Sequence, residues 1–437
     1  MSAADFPPAN VPFGVALLPA AHAGGAPVPT VCTRVYDEVV SLRALAEARM
    51  LTGDVASAET VQESLKAESL NEFMALGRPA WQAVRENVQR LFAASEGALR
   101  DNKALREKAV FPIEQATARL PCRIGDYTDF YVSRNHAHNV SQMFRGPDAT
   151  VSEAWKRLPT AYHGRASSVV VSGTPVRRPW GQVDDGTNTG SSAFRPCRVL
   201  DFELEVGCLI GPPSELGTPI PLRRARDHIF GFVLLNDWSA RDVQKYEYVP
   251  LGPFTAKNFA SSISPWVVTA DALAPFRVPA EPQGLADVHP HLSEAACGVP
   301  RETYDVSLSA SIGTSPDAGS EGAGGVVTRT NFTNMYWTSE QMVVHHTSTG
   351  CDLRPGDLLG SGTVSGSDSA TSAGCLLELT WSGTRSVKAA GGAERTFLED
   401  GDWVVLRGHA GEGEARVGFG ACAGCVQPAV SASAWGP

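Results

Sequence analysis

The run CRVLDFELEVGCLIG, from Cys197 to Gly211, decides how the chain is read. Leu200, Phe202, Leu204 and Val206 are apolar, and the intervening Asp201, Glu203 and Glu205 are carboxylates. Period-two alternation predicts a β-strand that buries one face and gathers negative charge on the other. Like charges two residues apart on one face repel, more strongly where they are half-buried. A cation removes that repulsion, and an all-oxygen set suits a hard ion, Mg2+ or Ca2+, better than zinc. Taken alone, DFELE reads equally well as an exposed edge strand with solvated acids, so the rest of the chain has to decide.

Downstream, IFGFVLL from Ile229 is a near-continuous apolar run, as expected of a strand buried on both faces. It ends in Asn236-Asp237-Trp238-Ser239-Ala240-Arg241-Asp242. A carboxylate at the mouth of a buried strand is placed for metal binding or catalysis, or for capping the next turn. Gln244, Tyr248 and Lys257 follow, donors suited to an anionic substrate or an oxyanion. Upstream, IGDYTDFYVSRNHAHN from Ile124 to Asn139 crowds Asp126, Asp129, Tyr131, His136 and His138 together, with Arg145 shortly after. Towards the C-terminus, Leu358 to Trp381 runs from a Gly/Ser/Thr loop into what reads as an apolar strand whose single acid is Glu378. Such an acid is costly to bury unless paired, and a glutamate that orients a histidine meets that condition.

The 437 residues suffice for two or three domains with real cores. Residues 1–35 read as short strands and turns, and from Val39 to Arg106 the pattern is helical, with Trp81, Val84, Val88, Leu91 and Phe92 on one stripe. After Pro121 short strands punctuated by Gly, Pro and Asn take over, which argues for a β-rich C-terminal part. A net charge of −10 argues against nucleic-acid or anionic-membrane binding, and no apolar stretch is long enough to span a bilayer. Val15–Ala23 reads as an early strand and not a signal peptide, because it lacks a basic leader and is broken by Pro19. Nine scattered cysteines fit reduced cytoplasmic thiols, and the lone Cys422-Ala-Gly-Cys425 fits ordinary packing. The Gly/Ser-rich piece Gly313–Gly325 is expected to be a mobile loop.

With these stretches in hand, the chain resembles the fumarylacetoacetate hydrolase family over nearly its whole length. The likeness is carried by DFPPANVPFGV and LNEFMALGRPAW, then by IGDYTDFYVSRNHAHNVSQMFRG, YHGRASSVVVSGTP, DFELE, NDWSARDVQKYEYVPLGPF, LRPGDLLGSGTVSGSD and RVGFG. The resemblance implies a mainly β, α+β protein. Residues 1–120 would form an SH3-like barrel domain with helices, and residues 121–437 a mixed β-sandwich roll that carries catalysis and forms a homodimer. It implies a hard cation, Mg2+ or Ca2+, among Asp129, Glu203, Glu205 and Asp237. A second cation would sit near Asp237, Lys257 and Ser261, where the family has threonine at the serine position. A protonated Lys257 could contribute only its carbonyl there. His136, in preference to His138, would be the general base and Glu378 its orienting partner. Arg241, Gln244 and Lys257 would stabilise oxyanions, while Tyr131, Arg145, Gln244, Tyr248 and Thr363 contact substrate. The implied reaction is cytoplasmic hydrolysis of fumarylacetoacetate to fumarate and acetoacetate, the last step of tyrosine and phenylalanine breakdown. Two rivals stand beside it: another oxo-acid enzyme of the same superfamily, and a non-catalytic protein that keeps Ca2+ for stability. The long IGDYTDFY block speaks against the first, and the joint presence of His136 and Glu378 against the second.

Overall fold

The apolar run from Ile229 becomes the strand Ile229–Asp237, buried along its entire length. The computed structural model describes residues 3–19, 27–187, 191–284, 288–320 and 323–435. Past an irregularity in the pairing between Ile229 and Gly231, which turns Phe230 to the second core, successive side chains of this strand serve two cores: Phe232 and Leu234 enter one, Val233 and Leu235 the other. That is the period-two consequence of burying both faces. The strand pairs antiparallel with Leu204–Ile210 on one side and with Trp266–Thr269 and Ser261–Ile263 on the other.

These strands are the middle of a thirteen-stranded sheet. One end runs through Leu358–Gly360, Tyr127–Phe130 and Ala161–His163; the other is built from N-terminal strands, Phe13–Leu17, Pro29–Val35, Glu38–Ser41 and Val110–Pro112. The N-terminal strands join by pairing Phe13 with Val267. The first core lies between this sheet and a five-stranded sheet that includes Ser307–Gly313, Trp403–Ala410 and Val417–Gln427. The second core is closed by helices of the 42–109 region, chiefly Arg78–Leu91, whose Trp81, Val84, Val88 and Leu91 are buried as their spacing predicts. Trp81 meets Phe230 edge-on, ring centroids 4.9 Å apart, and donates its indole N–H to the Phe73 carbonyl. A Cβ on Gly211 would lie 2.5 Å from that indole, so the glycine makes room for the helix. Strands and helices both contribute substantially, in keeping with the α+β expectation.

Local expectations change in several places. CRVLDFELEVGCLIG is not one strand: it divides into Leu200–Asp201, paired with Ser239–Ala240, and Leu204–Ile210. The break occurs where the Glu203 N–H turns to the Asn236 side-chain oxygen instead of a strand neighbour. Its acids are buried, not solvated: Asp201, Glu203 and Glu205 are at most 4% exposed. Glu378 lies on a short helix, Leu376–Leu379, not on a strand. The connection after Gly313 joins two strands of a hairpin, Ser307–Gly313 and Val326–Asn331. In its described part Ala318 is buried and its carbonyl is held by Arg407, while residues 314–317 and 323–324 are exposed; residues 321–322 lie outside the described residues. Of the stretch Val15–Ala23, Phe13–Leu17 supplies a strand and 20–23 lie outside the described residues. The nine cysteines are free, and Cys422 is buried with its thiol on the Ser262 carbonyl. Among the described residues no helix is long and apolar enough to cross a membrane.

Candidate active site

Strand register brings four carboxylates together where interior strands of the large sheet end. Asp129 lies opposite Gly360, Gly360 beside Gly207, and Glu205 opposite Leu235, two residues before Asp237. Glu203 follows from the break in the DFELE run. Ligand oxygens of Asp129, Glu203, Glu205 and Asp237 all lie within 4.8 Å of one another, and all four residues are buried. Lys257 Nζ bridges two of them, 2.5 Å from Glu203 Oε2 and 2.6 Å from Asp237 Oδ2. Ser261 Oγ and Tyr162 Oη donate to the Asp237 carboxylate, each at 2.9 Å.

The charge in this cluster does not balance. Burial and the Asp237 carboxylate push Asp129 well above the usual carboxylate range, with Lys257 opposing. Burial, Asp129, Glu203 and Asp237 push Glu205 up in the same way, and burial raises Asp237 against the pull of Lys257. Glu203 goes the other way: burial lifts it, but Lys257 and Arg241 outweigh burial and hold it well below its ordinary value. Burial alone would lower Lys257, yet Asp237 and Glu203 hold its ammonium firmly protonated. Two carboxylate oxygens of the cluster, Asp129 Oδ1 and Glu205 Oε1, are buried without any hydrogen-bond partner. A Cβ at Gly360 would sit 2.8 Å from Asp129 Oδ1 and 3.2 Å from Glu205 Oε2, so glycine keeps the space between those acids open. Excess negative charge, orphaned oxygens and an open cradle fit a hard divalent cation with oxygen ligands.

Beside the acids stands a buried histidine–glutamate pair. His136 belongs to the helix Arg134–Arg145, and its Nδ1 lies 2.6 Å from Glu378 Oε2. His138 lies on the same helix but is exposed. Glu378 also accepts from Asn139 Nδ2 at 2.8 Å, Ser365 Oγ at 2.8 Å and the Cys375 thiol at 3.2 Å. Burial lifts its carboxyl, but the His136 imidazole and the Asn139 and Ser365 donors bring it below its ordinary value. Asp201 explains why Glu378 is where it is. Its carboxylate accepts the Leu376 and Leu377 N–H groups, at 2.7 and 3.0 Å, capping the short helix that carries Glu378. The same carboxylate accepts from Arg241 Nε at 2.9 Å, and Arg241 Nη1 reaches Glu203 at 2.7 Å and Gln244 Oε1 at 3.1 Å.

A cavity of about 420 Å3 opens onto this assembly, and Asp129, Tyr131, His136, Glu203, Arg241, Gln244, Tyr248, Lys257 and Thr363 line it. The Thr363 hydroxyl is buried there without a partner. Glu205, Asp237, Ser261 and Glu378 stand directly behind these residues through the contacts above. Arg145 is the one anticipated residue that is not brought in: its guanidinium donates to Ser141 Oγ and the Thr150 carbonyl. Sequence reasoning missed Asp201 as a structural link, Asn139 and Ser365 as partners of Glu378, and Tyr162. Tyr162 sits opposite Asp129 in register, so only strand pairing could have revealed it.

Comparison with known proteins gives the class. The profile described as fumarylacetoacetate hydrolase C-terminal matches residues 127–427, and the one described as fumarylacetoacetase N-terminal matches residues 9–121. This chain belongs to the fumarylacetoacetate hydrolase family. Its relatives over the full length are enzymes named fumarylacetoacetase. That of Mus musculus is 46% identical over 98% of this chain and 97% of its own, and that of Arabidopsis thaliana 45% identical over the same shares. A solved fumarylacetoacetate hydrolase from Exiguobacterium antarcticum shares the fold, with a TM-score of 0.52 at 15% identity over 95% of this chain and 99% of that one.

Proposed function

We propose that this protein hydrolyses the carbon–carbon bond of fumarylacetoacetate to fumarate and acetoacetate. The carrying observation is the buried His136–Glu378 pair beside four carboxylates, two of whose oxygens have no protein partner. Identity at full length to fumarylacetoacetases supports the substrate. Asp129, Glu203, Glu205 and Asp237 would hold Mg2+ or Ca2+; when bound, the ion polarises the attacked carbonyl and offsets charge on the leaving enolate. The Ser261 hydroxyl, which donates to Asp237, and the Lys257 carbonyl would contribute to a second cation site.

His136, with Nδ1–H donated to Glu378, keeps Nε2 free to take a proton from the attacking water, and Glu378 stabilises the resulting imidazolium. The hydroxide adds to the fumaryl carbonyl, the bond to the acetoacetyl carbon breaks, and its electron pair leaves as an enolate that is protonated on carbon. Arg241 and Lys257 present fixed N–H donors where oxyanion charge develops, and Gln244 is aligned by its bond to Arg241. Tyr131, Tyr248 and Thr363 line the cavity as substrate contacts; Arg145 joins them when it releases Ser141 and Thr150. The exposed loop residues Val249, Leu251 and Phe254, 68%, 95% and 68% accessible beside the cavity, support a homodimer that covers them. Free cysteines support a cytoplasmic setting. We retain the division at residue 120, with an SH3-like arrangement of the N-terminal strands and a sandwich roll beyond.

The test is turnover of fumarylacetoacetate by purified protein in isotopically labelled water. The expected result is equimolar fumarate and acetoacetate, with water-derived oxygen in the new carboxylate of fumarate. Folded, metal-loaded protein that leaves the substrate intact would overturn the proposal.

A further inference from the structure

We propose that His136, Glu378 and Cys375 form a further cation site, of nitrogen, oxygen and sulfur donors, that binds zinc-class ions and silences the base. His136 Nδ1 and the Cys375 thiol converge on the same oxygen, Glu378 Oε2, from 2.6 and 3.2 Å. Ligand atoms of all three lie within 4.8 Å of one another, and all three residues are buried. Orienting the imidazole does not require sulfur, because Ser365 Oγ already donates to the same oxygen at 2.8 Å. The donor set differs in kind from the neighbouring one: Asp129, Glu203, Glu205 and Asp237 offer only hard oxygens, whereas a thiolate and an imidazole select borderline and soft ions.

The geometry is close to what zinc needs. Bond lengths of about 2.0–2.1 Å to nitrogen and about 2.3 Å to sulfur on a tetrahedral ion set neighbouring donors roughly 3.3–3.6 Å apart. Seating the ion therefore requires the 2.6 Å His136–Glu378 pair to open by about 0.7 Å and the 3.2 Å Cys375–Glu378 pair by about 0.3 Å. The ion would take the place of the Nδ1 proton, with Ser365 Oγ or water as fourth ligand. Binding releases one proton to solvent, from the thiol, while the Nδ1 proton moves to Nε2. The imidazole then carries its proton on Nε2, the nitrogen that must accept one from water, so hydrolysis stops. The inhibitory consequence rests on the proposed function; the metal site itself does not.

The experiment uses the full chain saturated with Mg2+, so that the oxygen cluster is filled. Co2+ is added as a spectroscopic stand-in for zinc, and Zn2+ is then titrated during turnover. The expected results are a near-ultraviolet sulfur-to-cobalt absorption band that disappears in Cys375→Ser, and zinc inhibition at least about tenfold weaker in that variant, relative to its own uninhibited rate. Cys375→Ala serves as a second variant if the serine form does not fold. Absence of the sulfur band in the unsubstituted protein, or equal zinc sensitivity with and without Cys375, would overturn the site. The cobalt spectrum decides this even if fumarylacetoacetate is not turned over, so the two readings fail separately.

Discussion

Glu378→Gln is the most informative single change, because the glutamate is fully buried and each of its contacts is known. Oε2 accepts from His136, Ser365 and Cys375, and Oε1 accepts from Asn139 alone. A glutamine must choose which oxygen to keep. Placing its carbonyl at the Oε2 position keeps three donors satisfied and leaves only Asn139 to be accommodated, which a half-buried amide can do by turning over. The Nδ1–H tautomer of His136 therefore survives, and the loss is confined to the charge that stabilises the imidazolium. A hydrogen bond to a charged group contributes about 1.5–3 kcal/mol and a neutral one about 0.5–1.5 kcal/mol. The difference, about 1–1.5 kcal/mol, corresponds to roughly a tenfold fall in kcat with KM nearly unchanged. Steady-state turnover of fumarylacetoacetate by metal-loaded, folded variant provides the assay. A kcat within twofold of the parent would refute the role of Glu378. A fall of about 10⁴-fold, the scale seen when a catalytic histidine is forced into the wrong tautomer, would refute the donor-counting argument.

The same variant makes a pH prediction. Because the folded protein holds Glu378 below its ordinary value, its contribution to stability is present above the unfolded carboxylate range, about pH 4.3, and is lost as pH falls through the folded value. Melting curves from pH 6 to 3 should therefore drop less steeply for Glu378→Gln, and parallel curves would contradict the pairing. Asp201→Ala leaves Arg241 without one of two carboxylates and uncaps the Leu376–Leu379 helix. It should cost about 3–5 kcal/mol in urea unfolding, and a loss under 1 kcal/mol would refute its linking role. Trp81→Ala removes a ring packed on Phe230 and a hydrogen bond to Phe73. It should cost about 3–5 kcal/mol, and an unchanged denaturation midpoint would contradict the docking of the N-terminal helices.

The buried strand from Ile229 was legible because a long apolar run can be satisfied only between two cores. The helix stripe through Trp81 was legible because its spacing admits one face. Within DFELE the alternation grouped Asp201 with Glu203 and Glu205 on one face, but only the two glutamates reach the carboxylate cluster. The strand breaks between Asp201 and Glu203, and Asp201 turns to a helix 175 residues away in sequence, a contact no local pattern encodes. Glu378 reads as part of a strand because CLLEL is too short for helical and extended periods to differ. Its helix is set by the Asp201 cap, which is tertiary. Asp129 and Tyr162 face each other across a strand pair, so the tyrosine's place beside the acids had no signal in its own neighbourhood. Arg145 shows the converse: its residue type suited an anionic substrate, but Ser141 one turn back on its own helix and Thr150 beyond the helix end hold it instead.

The central claim is that the oxygen cluster and the His136–Glu378 pair act together on one substrate. It is tested most directly by measuring fumarate and acetoacetate release before chelation, after chelation, and after Mg2+ or Ca2+ is restored, with folding monitored throughout. The account predicts that chelated protein stays folded but inactive, and that a hard divalent cation restores both products in equal amounts. Undiminished turnover by metal-free, folded protein would contradict it.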